Sequence, residues 1–295
     1  MSKIGFIGLG IMGKPMSKNL LKNGHELVVL DRNTSTVQEV VEAGAKTAVT
    51  PAEVAAQVDY VITMLPNSPQ VKEVILGPNG VIEGARSGTL VIDMSSIAPL
   101  VSREVGEALA EKEVRFIDAP VSGVEPKAIE GTLSIMCGGK ETDFEEVKDI
   151  LLCMGASVVL CGEIGAGNVT KLANQIIVAV NIAAMSEALT LATKAGVNPD
   201  LVYKAIRGGL AGSTVLDAKA PLVMDRKFDP GFRINLHIKD LNNIMETGHE
   251  IGSPLPLSAS VLEMMQTLRA DGLGDKDHGA LIRYYEKLAN MEVSR

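Results

Sequence analysis

The sequence predicts an α/β doubly wound sheet followed by an all-α C-terminal domain, the two joined through a long interdomain helix. Three observations carry this expectation. Through the first half, short β-rich runs alternate with helical patterns, the mark of parallel strands with crossover helices. After Gly167 the strands stop and helical runs take over. The chain is 295 residues long, more than one average domain, which suggests two; the boundary is expected between residues 163 and 164.

Element by element, strands are expected at Lys3–Ile7, Leu27–Leu30, Tyr60–Met64, Leu90–Asp93, Arg115–Ile117, Ser134–Cys137 and Val158–Leu160. Helical patterns fall between most of them, such as Met12–Lys22, closed by Gly24, and Leu100–Glu111. A helix over Asn168–Lys194 would run roughly 40 Å and stop before Gly196 and Pro199. Further helices are expected near Pro199–Arg207, Leu236–Ile251, Pro256–Asp271 and Asp277–Leu288.

Composition narrows the function classes. Hydrophobic residues make up 46% and charged residues 22%, enough for a sizeable core. The net charge of -8 and the lack of a Lys/Arg-rich run argue against a nucleic-acid surface, so an acidic small molecule would need a local positive site. No run reaches the roughly 18 uninterrupted apolar residues of a membrane span. The strand pattern begins at Lys3, leaving no room for a leader. Cys137, Cys153 and Cys161 lack metal-type spacing and the four histidines are scattered, so no metal is expected and a reduced, cytoplasmic compartment fits.

The run KIGFIGLGIMGKP places Gly8, Gly10 and Gly13 in G-x-G-x-x-G spacing, directly after an apolar strand and before a helix. That context makes an otherwise weak spacing a strong sign of a Rossmann-type dinucleotide loop. Gly8 permits the tight turn, Gly10 lets backbone approach a pyrophosphate, and Gly13 allows close helix–strand packing, with Leu9, Ile11 and Met12 completing the loop. Asp31, at the end of the second strand, is placed to accept hydrogen bonds from an adenosine ribose, which favours NAD over NADP. Its neighbour Arg32 could pair with a 2'-phosphate and admit NADPH as well. The bland reading is that Asp31 caps a turn and Arg32 is a solvated charge.

Ser122 and Gly123 form a turn after the strand ending near Asp118. Carboxyl ends of strands face the ligand crevice in such sheets, and a hydroxyl beside backbone N–H groups suits a small carboxylate, although Ser-Gly is also a common turn dipeptide. Between Glu163 and Glu187 the only charged side chain is Lys171, with Asn174 and Gln175 on the same helical face. It either snorkels at a domain edge or stands over the cleft, where an ammonium can polarise a carbonyl and give up a proton.

The glycine loop GFIGLGIMGKPM, the DMSSIAP segment, the DAPVSG loop, GAGNVTKLANQ and the Lys239-Asp240 pair resemble, in that order and across essentially the whole chain, the β-hydroxyacid dehydrogenases. The resemblance implies NAD(P)H-dependent hydride transfer to a small oxo acid, with Lys171 as catalytic acid/base and Asn174 beside it. It implies that Ser122 and Gly123 hold the substrate carboxylate and that Met64, Leu65, Pro66, Ser96 and Lys239 line the cofactor. GKPMSKNLLK, MLPNSP and RGGLAGSTVLDAKAP resemble the branch that reduces tartronate semialdehyde to D-glycerate in glucarate, galactarate or glyoxylate breakdown. Other β-hydroxyacid substrates such as 3-hydroxyisobutyrate, or a non-catalytic nucleotide sensor, are the alternatives. Two departures stand out: Val124 replaces the second glycine of the family's Ser-Gly-Gly, and Gln175 stands where the family has asparagine, so Asn174 or Gln175 takes that role. The apolar helix around Lys171 must bury its surface on several sides, which suggests a homodimer or homotetramer.

Overall fold

β1 (Lys3–Ile7) sends Ile4 and Phe6 to one face of a sheet and Ile7 to the other, all buried. The same division recurs in the neighbouring strands: Val61 opposes Ile62, Val91 opposes Ile92, and Phe116 opposes Ile117. A sheet apolar on both faces must be covered on both, which is why helices flank it on two sides. The computed structural model describes Met1–Arg295, and two units emerge, Met1–Lys171 and Leu172–Arg295.

In the first unit the chain runs from β1 through α1 (Gly13–Lys22), β2 (Glu26–Leu30), α2 (Thr34–Glu42), β3 (Lys46–Thr47) and α3 (Pro51–Ala55) to β4 (Tyr60–Thr63). It continues through α4 (Ser68–Leu76), α5 (Val81–Gly84), β5 (Leu90–Asp93) and α6 (Pro99–Ala110) to β6 (Arg115–Asp118) and β7 (Val121–Ser122). Then come α7 (Val124–Glu130), β8 (Leu133–Gly138), α8 (Glu141–Leu152) and β9 (Gly155–Gly162). The strand order is β3-β2-β1-β4-β5-β6-β8-β7, with β9 on β8. Its first six strands have the order of a doubly wound dinucleotide fold, which reverses direction between β1 and β4. Helix starts follow local chemistry: Asn33 caps α2 by accepting from the Ser35 and Thr36 N–H groups, and Thr50 caps α3 with Pro51 behind it.

The sheet departs from all-parallel in one place. β8 runs antiparallel to β6 and β7, with Val121 opposite Ile135 and Ser122 opposite Ser134. The link from β6 to β8 carries only the short α7, too little chain for a helix to cross the sheet and return in the same direction.

α9 (Ala166–Lys194) leads into the second unit, followed by α10 (Pro199–Ile206), α11 (Thr214–Met224), α12 (Ile234–Glu250), α13 (Pro256–Ala270), a 3-10 turn at His278–Leu281 and α14 (Ile282–Ala289). By length and composition α9 could cross a membrane, with a mean hydropathy of 1.7 over its apolar window. Its Leu172, Ala179, Ile182, Met185 and Leu189 are instead buried in the second unit's core with Leu216, Ile238, Leu241 and Met265.

Candidate active site

Four parallel neighbours, β1, β4, β5 and β6, end at one edge of the sheet, and their loops are stitched together there. Met64 N donates to Ile7 O at 2.9 Å, Met94 N to Thr63 O at 2.8 Å, and Ala119 N to Asp93 O at 2.7 Å. This edge therefore gathers the glycine loop, Met64–Leu65–Pro66, Ser96 and the Ser122–Gly123 turn.

Gly8 adopts φ +99, and a side chain there would collide with the Met64 carbonyl. A Cβ on Gly10 would meet no protein atom within 4 Å, so this chain's own packing does not account for the glycine. Space beside exposed backbone is what a bound pyrophosphate requires. Met12 precedes α1 without a side-chain cap, and the first turn holds no acidic residue, so the helix presents its N–H groups and positive end unopposed. These residues fit a dinucleotide.

Asp31 does local work. Its Oδ2 accepts from Leu9 N at 2.6 Å, inside the glycine loop, and its Oδ1 from Asn33 N at 2.7 Å. Arg32 reaches Glu73 at 3.1 Å, an ion pair exposed on both sides.

Beneath these loops lies a buried polar frame that the sequence does not announce. Asp93 Oδ1 accepts from Thr63 Oγ1 at 2.8 Å and Ser95 Oγ at 2.5 Å, and Ser95 Oγ accepts from Leu65 N at 2.9 Å. Asp93 Oδ2 is buried without a partner. Burial pushes Asp93 up to about 7, against the pull of its Ser95 and Thr63 hydrogen bonds. Asp118, also fully buried, accepts from Gly165 N at 2.6 Å and Asn168 N at 2.7 Å, and burial pushes it up to about 6. The available signal was a carboxylate closing each of two apolar strands, LVID and RFID.

Both carboxyls ionise near 3.8 when exposed. Between about pH 4 and 7 the folded chain therefore holds protons that the unfolded chain releases, so stability falls as pH rises through that window. Asp93→Asn keeps an oxygen for the Thr63 and Ser95 donors and removes the ionisation. Its melting temperature should change less between pH 5 and pH 7.5 (roughly the ends of the window) than that of the wild type; equal pH slopes would contradict this account.

Lys171 is 7% exposed, so it does not reach out into open solvent as a snorkelling lysine does. It lies in the first turns of α9, three residues after Asn168. In the second unit, Asn174 Nδ2 donates to Gln175 Oε1 at 2.8 Å, and Gln175 Nε2 to Asp240 Oδ2 at 2.5 Å. Lys239 pairs with Asp240 Oδ1 at 2.8 Å. Val124 adopts φ +55, a left-handed backbone that disfavours a β-branched residue; the loop keeps the conformation suited to the glycine it lacks.

A dinucleotide loop at the switch point of a doubly wound sheet, followed by a helical second half, defines a dinucleotide-binding protein. Residues 3–162 match the NAD binding domain of 6-phosphogluconate dehydrogenase, and residues 165–285 match the NAD-binding domain of NADP-dependent 3-hydroxyisobutyrate dehydrogenase. The chain is 42% identical to the 2-hydroxy-3-oxopropionate reductase of Escherichia coli, covering 99% of this chain and 100% of the relative. It is 38% identical to the 2-(hydroxymethyl)glutarate dehydrogenase of Eubacterium barkeri, covering 99% and 97%. In structure it is similar to the 3-hydroxyisobutyrate dehydrogenase of Mycobacterium tuberculosis solved with L-serine, with a TM-score of 0.91, 31% identity, and 97% and 99% of the two chains covered. The chain belongs to the β-hydroxyacid dehydrogenase family, and its cofactor is NAD(P).

Proposed function

We propose that this enzyme reduces tartronate semialdehyde to D-glycerate with NADH, Lys171 serving as the proton donor. The observation that carries the reading is the placement of Lys171, buried in the first turns of the helix whose start is tied to the strand end that opens the Ser122–Gly123 loop. The similarity to 2-hydroxy-3-oxopropionate reductase supports the substrate, since 2-hydroxy-3-oxopropionate is tartronate semialdehyde.

Bound NADH supplies the hydride that reaches the aldehyde carbon. The Ser122 hydroxyl and the backbone at Gly123 hold the substrate carboxylate. The Lys171 ammonium polarises the aldehyde and gives its proton to the oxygen, an effect stronger where water is excluded because the effective dielectric is lower. Asn174 is the amide that assists, because both ends of the Gln175 amide are engaged, by Asn174 and by Asp240. Met64, Leu65, Pro66, Ser96 and Lys239 line the cofactor. The functional division between residues 163 and 164 keeps the whole of α9 with the second half.

NADH is the preferred cofactor because Arg32 is drawn to Glu73, while the Asp31 carboxylate would repel a 2'-phosphate. On α9, Val169, Ile177 and Leu191 are exposed, together with Ala173, Ala184 and Ala188. An apolar stripe of this kind supports a homodimer or homotetramer, in a cytoplasmic enzyme of sugar-acid or glyoxylate breakdown.

The experiment is a panel of tartronate, methylmalonate and succinate semialdehydes, each with NADH and NADPH, on a preparation whose mass is read by light scattering. The expected result is the highest kcat/KM for tartronate semialdehyde with NADH, from an oligomer. Methylmalonate semialdehyde as the best substrate would replace this reading with 3-hydroxyisobutyrate dehydrogenase, the activity of the protein whose domain matches the second half. A strong NADPH preference would overturn the cofactor assignment, and a monomer the assembly.

A further inference from the structure

We propose that Asp118 is a positioning residue that sets the register between the Ser122–Gly123 loop and Lys171, by gripping the start of α9 through two backbone N–H groups. The proposal rests on the reading of Lys171 as proton donor.

Asp118 ends β6, and its chain runs on through Ala119 and Pro120 into Ser122 and Gly123. Wherever Asp118 sits, that loop begins. Its two carboxylate oxygens take different donors, Oδ1 from Gly165 and Oδ2 from Asn168, at 2.6 and 2.7 Å, the short end for a charge-assisted N–H bond. Both donors belong to the segment that opens α9, where backbone N–H groups have no intrahelical acceptor. One acceptor would fix only a distance; two on a rigid carboxyl also fix how the helix start is rotated. Lys171 follows Asn168 by three residues, just under one turn, so that rotation decides where its side chain is aimed.

The neighbouring glycines close the grip. A Cβ on Gly138 would strike Asp118 Oδ1, and one on Gly167 would strike the main-chain oxygens of Met136 and Asp118. Neither glycine position has room for a side chain. Asn168 adds a second tie, accepting from Ile97 N at 3.0 Å and donating to Ser102 Oγ at 3.1 Å, which joins the same turn to the segment after Ser96.

A helix start alone does not call for a buried anion. Where a side chain caps another α-helix of this chain, the cap is neutral: Asn33, Thr50, Asn198 and Ser213. At α9 the chain instead carries a fully buried carboxyl, at the cost of desolvating its charged form. A buried carboxylate, Asp277, also caps the 3-10 turn at His278–Leu281, where Lys219 pairs with it at 2.8 Å; among the α-helices with a side-chain cap, the buried carboxyl serves the one bearing Lys171.

The test compares wild type, Asp118→Asn and Asp118→Glu in kcat, the KM for the semialdehyde, NADH affinity by fluorescence titration, and amide exchange at Gly165 and Asn168. Asparagine has one acceptor oxygen for two donors. We expect Asp118→Asn to lose about 10²-fold in kcat, the scale of a small misplacement of a reacting group, with NADH affinity unchanged and faster exchange at one or both amides. Unchanged kcat in a variant whose amides are deprotected would overturn the proposal, as would a loss no greater than the fall in folded fraction. If Asp118→Asn does not fold, Asp118→Glu decides: it keeps the charge but moves it by a methylene, so a kcat loss at constant NADH affinity supports the proposal and wild-type kcat overturns it. If the wild type binds NADH but turns over no semialdehyde, the functional reading fails by itself. The rate at which an amine-modifying reagent labels Lys171 then decides about Asp118: a change of several fold in the variant supports the grip, and equal rates overturn it.

Discussion

Lys171→Ala should lower kcat by roughly two to four orders of magnitude, the range lost with a general acid, while the NADH dissociation constant stays close to wild type. The split follows from where the groups lie. The dinucleotide is assigned to the glycine loop and α1 at the start of the chain, whereas Lys171 stands in the first turns of α9, 7% exposed. Its removal leaves an oxygen that gains negative charge with no cation and no proton beside it, a penalty of about 3–5 kcal/mol in the barrier. Lys171→Arg should recover little, because a guanidinium keeps the charge but does not release its proton near neutral pH. Steady-state rates combined with fluorescence titration of NADH check both variants. Near wild-type turnover in Lys171→Ala would remove the lysine from the chemistry.

Gly13→Ala should lose both stability and cofactor binding, and Gly10→Ala cofactor binding alone. A Cβ at Gly13 would overlap the Gly8 carbonyl and press on the Phe6 ring. Relief requires α1 to move off β1, an overpacking cost of roughly 2–3 kcal/mol, or about 3–5 °C in melting temperature for a chain of this size. The same shift withdraws the α1 N–H groups from the pyrophosphate. At Gly10 no protein atom lies within 4 Å of the added carbon, so the melting temperature should hold while NADH affinity falls at least about tenfold, as expected when a backbone approach is blocked. Thermal melts and NADH titrations of the two variants separate the roles. An unchanged NADH affinity in Gly10→Ala would show that the loop does not approach the cofactor through that residue.

The parts of the fold that were legible in the sequence are those in which local pattern and tertiary context agree. β1, the glycine loop and α1 announce themselves because an apolar run, obligatory glycines and a helix follow one another without a gap. The helix read from Asn168 begins at Ala166 in the structure, because Asp118, 50 residues away in sequence from Asn168, captures the opening turn; no local signal carries that. α11 went unread because Pro221 interrupts its pattern and glycines crowd its approach, yet Ser213 caps it and Leu216, Ala220, Val223 and Met224 are buried. β3 and β7 are two residues each, too short for alternation to register, and the reversal at β8 depends on what α7 can span. In the site, the groups proposed to touch ligands are the ones that glycine spacing and an isolated charge single out. The carboxylates beneath them, Asp93 and Asp118, were not, since an aspartate closing an apolar strand looks like an ordinary turn residue until its donors are known.

The reduction itself is read from the product formed when the wild-type enzyme is mixed with NADH and tartronate semialdehyde, measured as D-glycerate against NADH consumed. One molecule of D-glycerate is expected for each NADH oxidised, at a rate that collapses in Lys171→Ala. NADH that binds but is not oxidised, or glycerate formed as fast by Lys171→Ala as by the wild type, would contradict it.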